Sequence, residues 1–226
     1  MRIQTTDPSQ AQVETPGPLG DGGLTLVEFV MRDPLPLSVI QDAVFEFLEH
    51  RDDAVVYGAQ AVNVYVARRR NTEGVDVVST RGIEFAEELR AYLAQRFHAA
   101  IRIRTVRGGI GYRIYQVRRE GNRHLVDVRP VTSLPSWQLV GNIRVVTPEE
   151  AIAGKLLAFV GRRGKPQSFV DRRDLAELLL AFPELKNETG PVRERLDAAG
   201  ASREALEAWS EIVREEIVPS DEDAEF

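Results

Sequence analysis

The sequence predicts a mixed α/β fold (α+β), in which a small twisted sheet is flanked by helices and followed by a helical C-terminal half. Three observations carry this. Apolar and polar residues alternate strictly through much of 101–128, in segments parted by glycine turns, which is the period of half-buried strands. Two upstream segments place their apolar residues at three- and four-residue spacing, the period of a helix packed on one side. From Pro148 onward only helical signatures remain.

Taken in order, residues 1–23 hold Pro8, Pro16, Pro18 and the Gly20-Asp21-Gly22-Gly23 cluster, the composition of a mobile leader. After Pro34 and Pro36, the spacing of Ile40, Val44, Phe45 and Leu48 predicts an amphipathic helix over 37–50, with Ser38 as its N-cap. Ala54-Val55-Val56-Tyr57 reads as a short strand meeting Gly58, then a short buried helix over 59–67 and a second strand at Val75-Asp76-Val77-Val78. Phe85, Leu89, Leu93 and Phe97 define a helix over 84–98. Strands follow at 101–106, 112–117 and 124–128, joined by turns at Gly108-Gly109 and Glu120-Gly121-Asn122 into an antiparallel meander. A strand over 142–146 precedes Thr147-Pro148-Glu149-Glu150, where threonine can cap, proline fits the first helical position and the acids suit the positive helix end. Helices are expected over 148–161, 171–181, 191–199 and 202–217. These divide the chain into an α/β domain over 24–147, a helical domain over 148–218 and an acidic tail over 219–226.

Composition bounds the chemistry. Hydrophobic residues form 43% and charged residues 28% of the 226, globular values that exclude collagen-like and wholly disordered chains. With no cysteine, disulfides, thiolate zinc sites, iron–sulfur clusters and cysteine nucleophiles are excluded. No membrane span or secretory signal is visible, which reads as a cytoplasmic protein. Net charge is −6, unevenly spread: residues 1–60 carry ten acids against three bases, whereas 96–129 carry nine arginines against Glu120 and Asp127. Arg102, Arg104 and Arg113, interleaved with Tyr112 and Tyr115, are therefore candidates to receive a polynucleotide. The plain alternative is a solvated sheet face.

Four features point to chemistry. Gly58-Ala59-Gln60 stands between a strand and a helix, where a backbone amide can approach phosphate, although a turn alone would also call for glycine. Asp76 interrupts an apolar strand between Val75 and Val77, and burying such a carboxylate is costly unless a cation faces it. It reads as a metal ligand or a hydrogen-bonded anchor, with a strand-end cap as the alternative. Asp127 repeats the pattern within Leu125-Val126-Asp127-Val128. Two carboxylates on neighbouring strands can converge on one Mg²⁺, as phosphoryl transfer needs; otherwise Asp127 pairs with Arg129 or an arginine of an adjacent strand. Lys155 lies in an almost wholly apolar helix and is expected to aim at a fixed anion. Asp171 and Asp174, at i and i+3, share one side of the next helix and can hold that lysine or an arginine, unless Asp171 is simply the N-cap.

The order of these pieces, strand-Gly58-Ala59-Gln60-helix, Arg70-x-Thr72-x-x-x-Asp76, and Lys155-Leu156-x-Ala158-x-x-x-Arg162 followed by Asp171-x-x-Asp174-Leu175, resembles the AbiEii-like branch of the nucleotidyltransferase superfamily, which shares the fold of DNA polymerase beta. The likeness runs over about residues 37–180. It implies a nucleotidyltransferase-like sheet domain, an NTP held near Gly58, Ala59, Gln60 and Lys155, and Mg²⁺ on Asp76 and Asp127. Asp76 matches the second acid of an Asp-x-Asp pair, Asp127 the third acid, Lys155 the phosphate-facing lysine, and Asp171 and Asp174 the terminal acidic motif. All five are thus expected in the catalytic machinery. Two positions depart: Gly74 stands where the first metal-binding Asp belongs, and Ala59 offers an N–H but no hydroxyl. Glu73 would face the opposite side of a regular strand.

Two functions follow. The first is transfer of a nucleotidyl group from an NTP to an RNA or protein acceptor with Mg²⁺. The second is a catalytically impaired nucleotidyltransferase-fold protein acting as a nucleic-acid-binding or regulatory module, favoured by Gly74 and Ala59. The resemblance also implies a toxin–antitoxin or phage-defence setting, with a cognate antitoxin protein as partner.

Overall fold

The computed structural model describes residues 36–119 and 121–219, so the leader and the acidic tail beyond Pro219 lie outside the described residues. In chain order the elements are α1 (Leu37–Leu48), β1 (Ala54–Tyr57), α2 (Gly58–Tyr65), β2 (Val75–Ser79), α3 (Ile83–Phe97), β3 (Ile101–Val106), β4 (Gly111–Gln116), β5 (Arg123–Pro130), β6 (Trp137–Val140), β7 (Ile143–Val146), α4 (Pro148–Gly161), α5 (Pro166–Ala181), α6 (Pro191–Ala198) and α7 (Arg203–Arg214). The strands form one mixed sheet in the order β3-β4-β5-β2-β1-β7-β6. β2 runs parallel to β5 and β1 parallel to β7, while the other pairs are antiparallel.

Burial explains the residue choices. In the central strands β1 and β2 the valines Val55, Val56, Val75 and Val77 are at most 1% exposed, so these strands read as apolar runs broken only by Asp76. The outer strand β3 keeps the alternation of a sheet packed on one face: Ile101 is buried and Arg102 and Arg104 are exposed. α3 lays Phe85, Leu89 and Leu93, all fully buried, into the core. That core continues through Ile152, Leu156, Leu175 and Leu178 of α4 and α5 to Trp209 of α7, whose Nε1 donates to the Asn187 carbonyl at 3.2 Å.

The expected meander is present as β3-β4-β5. Two expectations are corrected and one strand is added. Ser38 lies inside the first turn of α1, because Pro36 holds the N-cap position. α5 starts at Pro166 rather than Asp171: Gly164 (φ +80) turns the chain, Pro166 fits the first turn, and the exposed Phe169 and Val170 hide the usual amphipathic signal. β6 was not expected, since all four of its residues are exposed and an edge strand without a buried face shows no alternation. Thr147 does occupy the N-cap of α4 ahead of Pro148, but its side chain makes no capping bond.

Candidate functional site

Residues paired across neighbouring strands share a face of the sheet. The register pairs Tyr57 with Asp76, Asp76 with Asp127, Asp127 with Arg113, and Arg113 with Arg104, so five side chains form one transverse row over five strands. The two carboxylates thus stand side by side at the sheet centre. Tyr115 pairs with Arg102 on the same face, and the Arg104 guanidinium lies 5.8 Å from the Tyr115 ring centroid. Among the described residues, Arg102 and Arg104 make no ion pair. Sequence reasoning grouped Arg113 with them, but its guanidinium is committed to Asp127.

Asp76 meets the start of α2. Gly58 has φ +70, and a Cβ there would lie 2.3 Å from Asp76 Oδ2, so both backbone conformation and contact require glycine. The Asp76 carboxylate stands at the start of α2, where the Ala59 N–H, one of the unpaired amides at the positive end of a helix, favours its charged form. Burial, then the adjacent Asp127 charge, push Asp76 above the ordinary carboxylate range against the pull of His124, Lys155 and that amide. Burial, then the Asp76 charge, likewise hold the Tyr57 hydroxyl protonated far above its usual value.

Asp127 is differently provided for. Arg113 grips it with two bonds, Nε to Oδ1 at 2.7 Å and Nη2 to Oδ2 at 2.6 Å. His124 Nε2 comes within 3.3 Å of Oδ1, an ion-pair distance without hydrogen-bond alignment. Burial opposes ionisation of Asp127, but His124 and Arg113 outweigh it and hold the carboxyl well below its ordinary value. His124 and Asp127 would face opposite sides of a regular strand. The β4–β5 register pairs Ile114 with Val126 but Tyr115 with His124, so Leu125 forms a bulge that brings both side chains to one face.

A second cluster joins the helices to this sheet. Lys155 is 8% exposed, and its Nζ lies 3.1 Å from Asp171 Oδ1 and 2.6 Å from Asp174 Oδ2. Arg70 binds Asp174 through two 2.9 Å bonds, and Arg162 reaches Asp171 Oδ2 at 2.8 Å. Asp174, whose burial would raise it, is held low by Arg70 and Lys155. Arg70 is fixed by Asn63, which accepts its N–H at 3.1 Å and donates to its carbonyl at 2.8 Å. Gln60 donates to Thr72 Oγ1 at 2.5 Å, so its carboxamide anchors the α2–β2 loop. The lysine with its two acids was readable from the sequence. Arg70 and Arg162, although within the quoted motifs, had been given no role, and His124 was missed.

The resemblance implies Mg²⁺, and the donor set tests that. Asp76 has a partly buried carboxylate and Asp127 has both oxygens engaged by Arg113. At Gly74, a Cβ would lie 2.8 Å from His124 Cε1 and 3.0 Å from both His124 Nδ1 and the Leu125 carbonyl. Among the described residues no three His, Asp or Glu side chains are grouped to hold a metal. The residues present therefore do not fit a three-carboxylate Mg²⁺ centre.

A family model described as "Nucleotidyl transferase AbiEii toxin, Type IV TA system" matches residues 42–225. The chain belongs to this AbiEii nucleotidyl transferase family. Its fold is shared by the polyadenylate synthase of Megavirus (TM-score 0.55, 13% identity, 65% of this chain and 32% of that one) and by JHP933 of Helicobacter pylori (TM-score 0.51, 16% identity, 72% of each chain). The AbiEii chain thus spans about a third of the Megavirus protein. No curated protein sequence matches it. Among the described residues, no helix of this family member is long and apolar enough to cross a membrane.

Proposed function

We propose that this chain is a catalytically impaired nucleotidyltransferase-fold protein that works as a nucleic-acid-binding or regulatory module. One observation carries the reading: the third acid of the family pattern, Asp127, is already neutralised by Arg113, next to a position 74 that has no carboxylate. A site without fixed cation ligands cannot position and neutralise a triphosphate, and those are the two effects on which phosphoryl transfer depends. What the same face offers instead is exposed Arg102 and Arg104 beside Tyr115, cations for a phosphate backbone next to a ring on which a base can stack. The type IV toxin–antitoxin description supports looking for a cognate antitoxin protein as the regulatory partner.

A second reading, nucleotidyl transfer from an NTP to an RNA or protein acceptor, is favoured by the juxtaposition of Asp76 and Asp127 at the N-terminus of α2. The two are separated by incubating the full chain with Mg²⁺ or Mn²⁺, four α-labelled NTPs and cellular RNA, with Asp76→Asn as control. The binding-module reading expects no label transfer above that control, together with RNA binding that weakens with salt. Label transferred by the wild type and lost in Asp76→Asn would overturn it in favour of the transferase.

A further inference from the structure

We infer that Arg113 replaces a divalent cation as the counter-charge of Asp127, and that Gly74 and His124 are a matched pair closing this centre to Mg²⁺. The inference rests on the binding-module reading and names how the site came to be closed. Deleting a carboxylate from a metal centre would by itself leave a gap and two adjacent, mutually repelling acids. Here the gap is filled, and Asp127 has its own counter-charge in Arg113, although its charge still raises Asp76. The imidazole of His124 fills the volume into which a side chain at 74 would project, as the 2.8 Å and 3.0 Å approaches of its ring to a Cβ there show.

The charge is likewise accounted for. Arg113 binds both oxygens of Asp127 in fork geometry, and His124 contacts it from the β5 side. Asp76 stands with Oδ2 against Gly58, at the positive end of α2. The Leu125 bulge aims His124 here, so the substitution at 74 and the backbone irregularity in β5 serve one arrangement. A hard cation entering would meet the Arg113 charge on Asp127 and would find Asp76 as its one carboxylate without an arginine partner, a weak protein ligand set for Mg²⁺ or Mn²⁺.

The test is Mn²⁺ titration of the full chain, followed by the electron paramagnetic resonance signal of free Mn²⁺. Wild type and Gly74→Asp alone should both bind only weakly, the latter because its carboxylate has no room beside the imidazole. Gly74→Asp combined with His124→Ala should bind at least about tenfold more tightly, once β5 yields slightly at the Leu125 carbonyl, and adding Asp76→Asn should abolish the gain. Arg113→Gln, which frees Asp127 without touching the crowded position, should tighten binding by a smaller factor. If the double variant does not fold by circular dichroism, wild type against Arg113→Gln decides alone.

Wild type binding Mn²⁺ as tightly as the restored variants, or Gly74→Asp gaining as much without removal of His124, would overturn the inference. So would an Arg113→Gln affinity equal to wild type. Label transfer by the wild type would count against the binding-module reading, whereas the titration decides the closed centre whether or not any nucleotide binds.

Discussion

Gly58→Ala probes the contact on which the candidate site is built. Two costs are expected. The residue has φ +70, a conformation that costs a side-chain-bearing residue about 1 kcal/mol or slightly more. The new methyl would also lie 2.3 Å from Asp76 Oδ2 and 3.0 Å from its Cβ, so the carboxylate must move away from the positive end of α2. Moving a partly buried carboxylate away from a helix N-terminus costs up to about 2 kcal/mol. The two together predict about 3 kcal/mol in equilibrium urea unfolding, with the midpoint shifted and the slope unchanged. The second cost exists only while the carboxylate is present. In a double-mutant cycle, Gly58→Ala made on an Asp76→Ala background should therefore cost about 2 kcal/mol less than on wild type, roughly 4–8 °C of Tm at this chain length. Additive behaviour, with the same cost on both backgrounds, would refute the claim that the Asp76 carboxylate is what excludes a side chain at 58.

The remaining predictions concern charge. Lys155→Met leaves Asp171 and Asp174 buried together, each with one arginine, and should cost about 3 kcal/mol, the low end for breaking a buried pair. Arg162→Ala removes a half-exposed partner and should cost less than about 1 kcal/mol in the same unfolding experiment, so equal costs would contradict the network. The folded-state pKa of Asp127 lies below its unfolded value of about 3.9, so its contribution is present at neutral pH and lost as pH falls through the folded value. Arg113→Gln should accordingly lower Tm at pH 7 and converge on wild type in acid. Asp76 has the opposite sign: its pKa is raised, so its charged form costs stability above that pKa and the penalty disappears as pH falls. Asp76→Asn should be at least as stable as wild type at pH 7, with no advantage in acid. Arg102→Ala with Arg104→Ala should reduce the salt slope of single-stranded RNA binding, read by fluorescence anisotropy, by about 1.4, for two phosphate contacts.

Much of the architecture was legible because it rests on local periodicity. Alternation in 101–128 marked the meander, four-residue spacing marked α3, and the capping residues at Thr147-Pro148 marked the start of α4. The isolated carboxylates Asp76 and Asp127 and the lone Lys155 were conspicuous for a related reason: a charge among apolar neighbours must have a partner, and the i, i+3 acids Asp171 and Asp174 were the nearest regular place to find one. Which partner each charge takes is a different kind of information. The pairing of Asp76 with Asp127 follows from the parallel register of β2 and β5, and Arg113 reaches Asp127 because β4 lies against β5. His124 was unreadable because the Leu125 bulge breaks the two-residue period by which a strand sequence assigns faces. Arg70 reaches Asp174 across 104 residues, a distance no pattern spans. The sequence alone determined most of the elements, β6 and the start of α5 excepted, and which residues needed a partner, because burial acts on each segment separately. Only the tertiary structure decided that Arg113 and the His124 ring, rather than open ligand positions, meet Asp127, because register and bulge set which groups share a face.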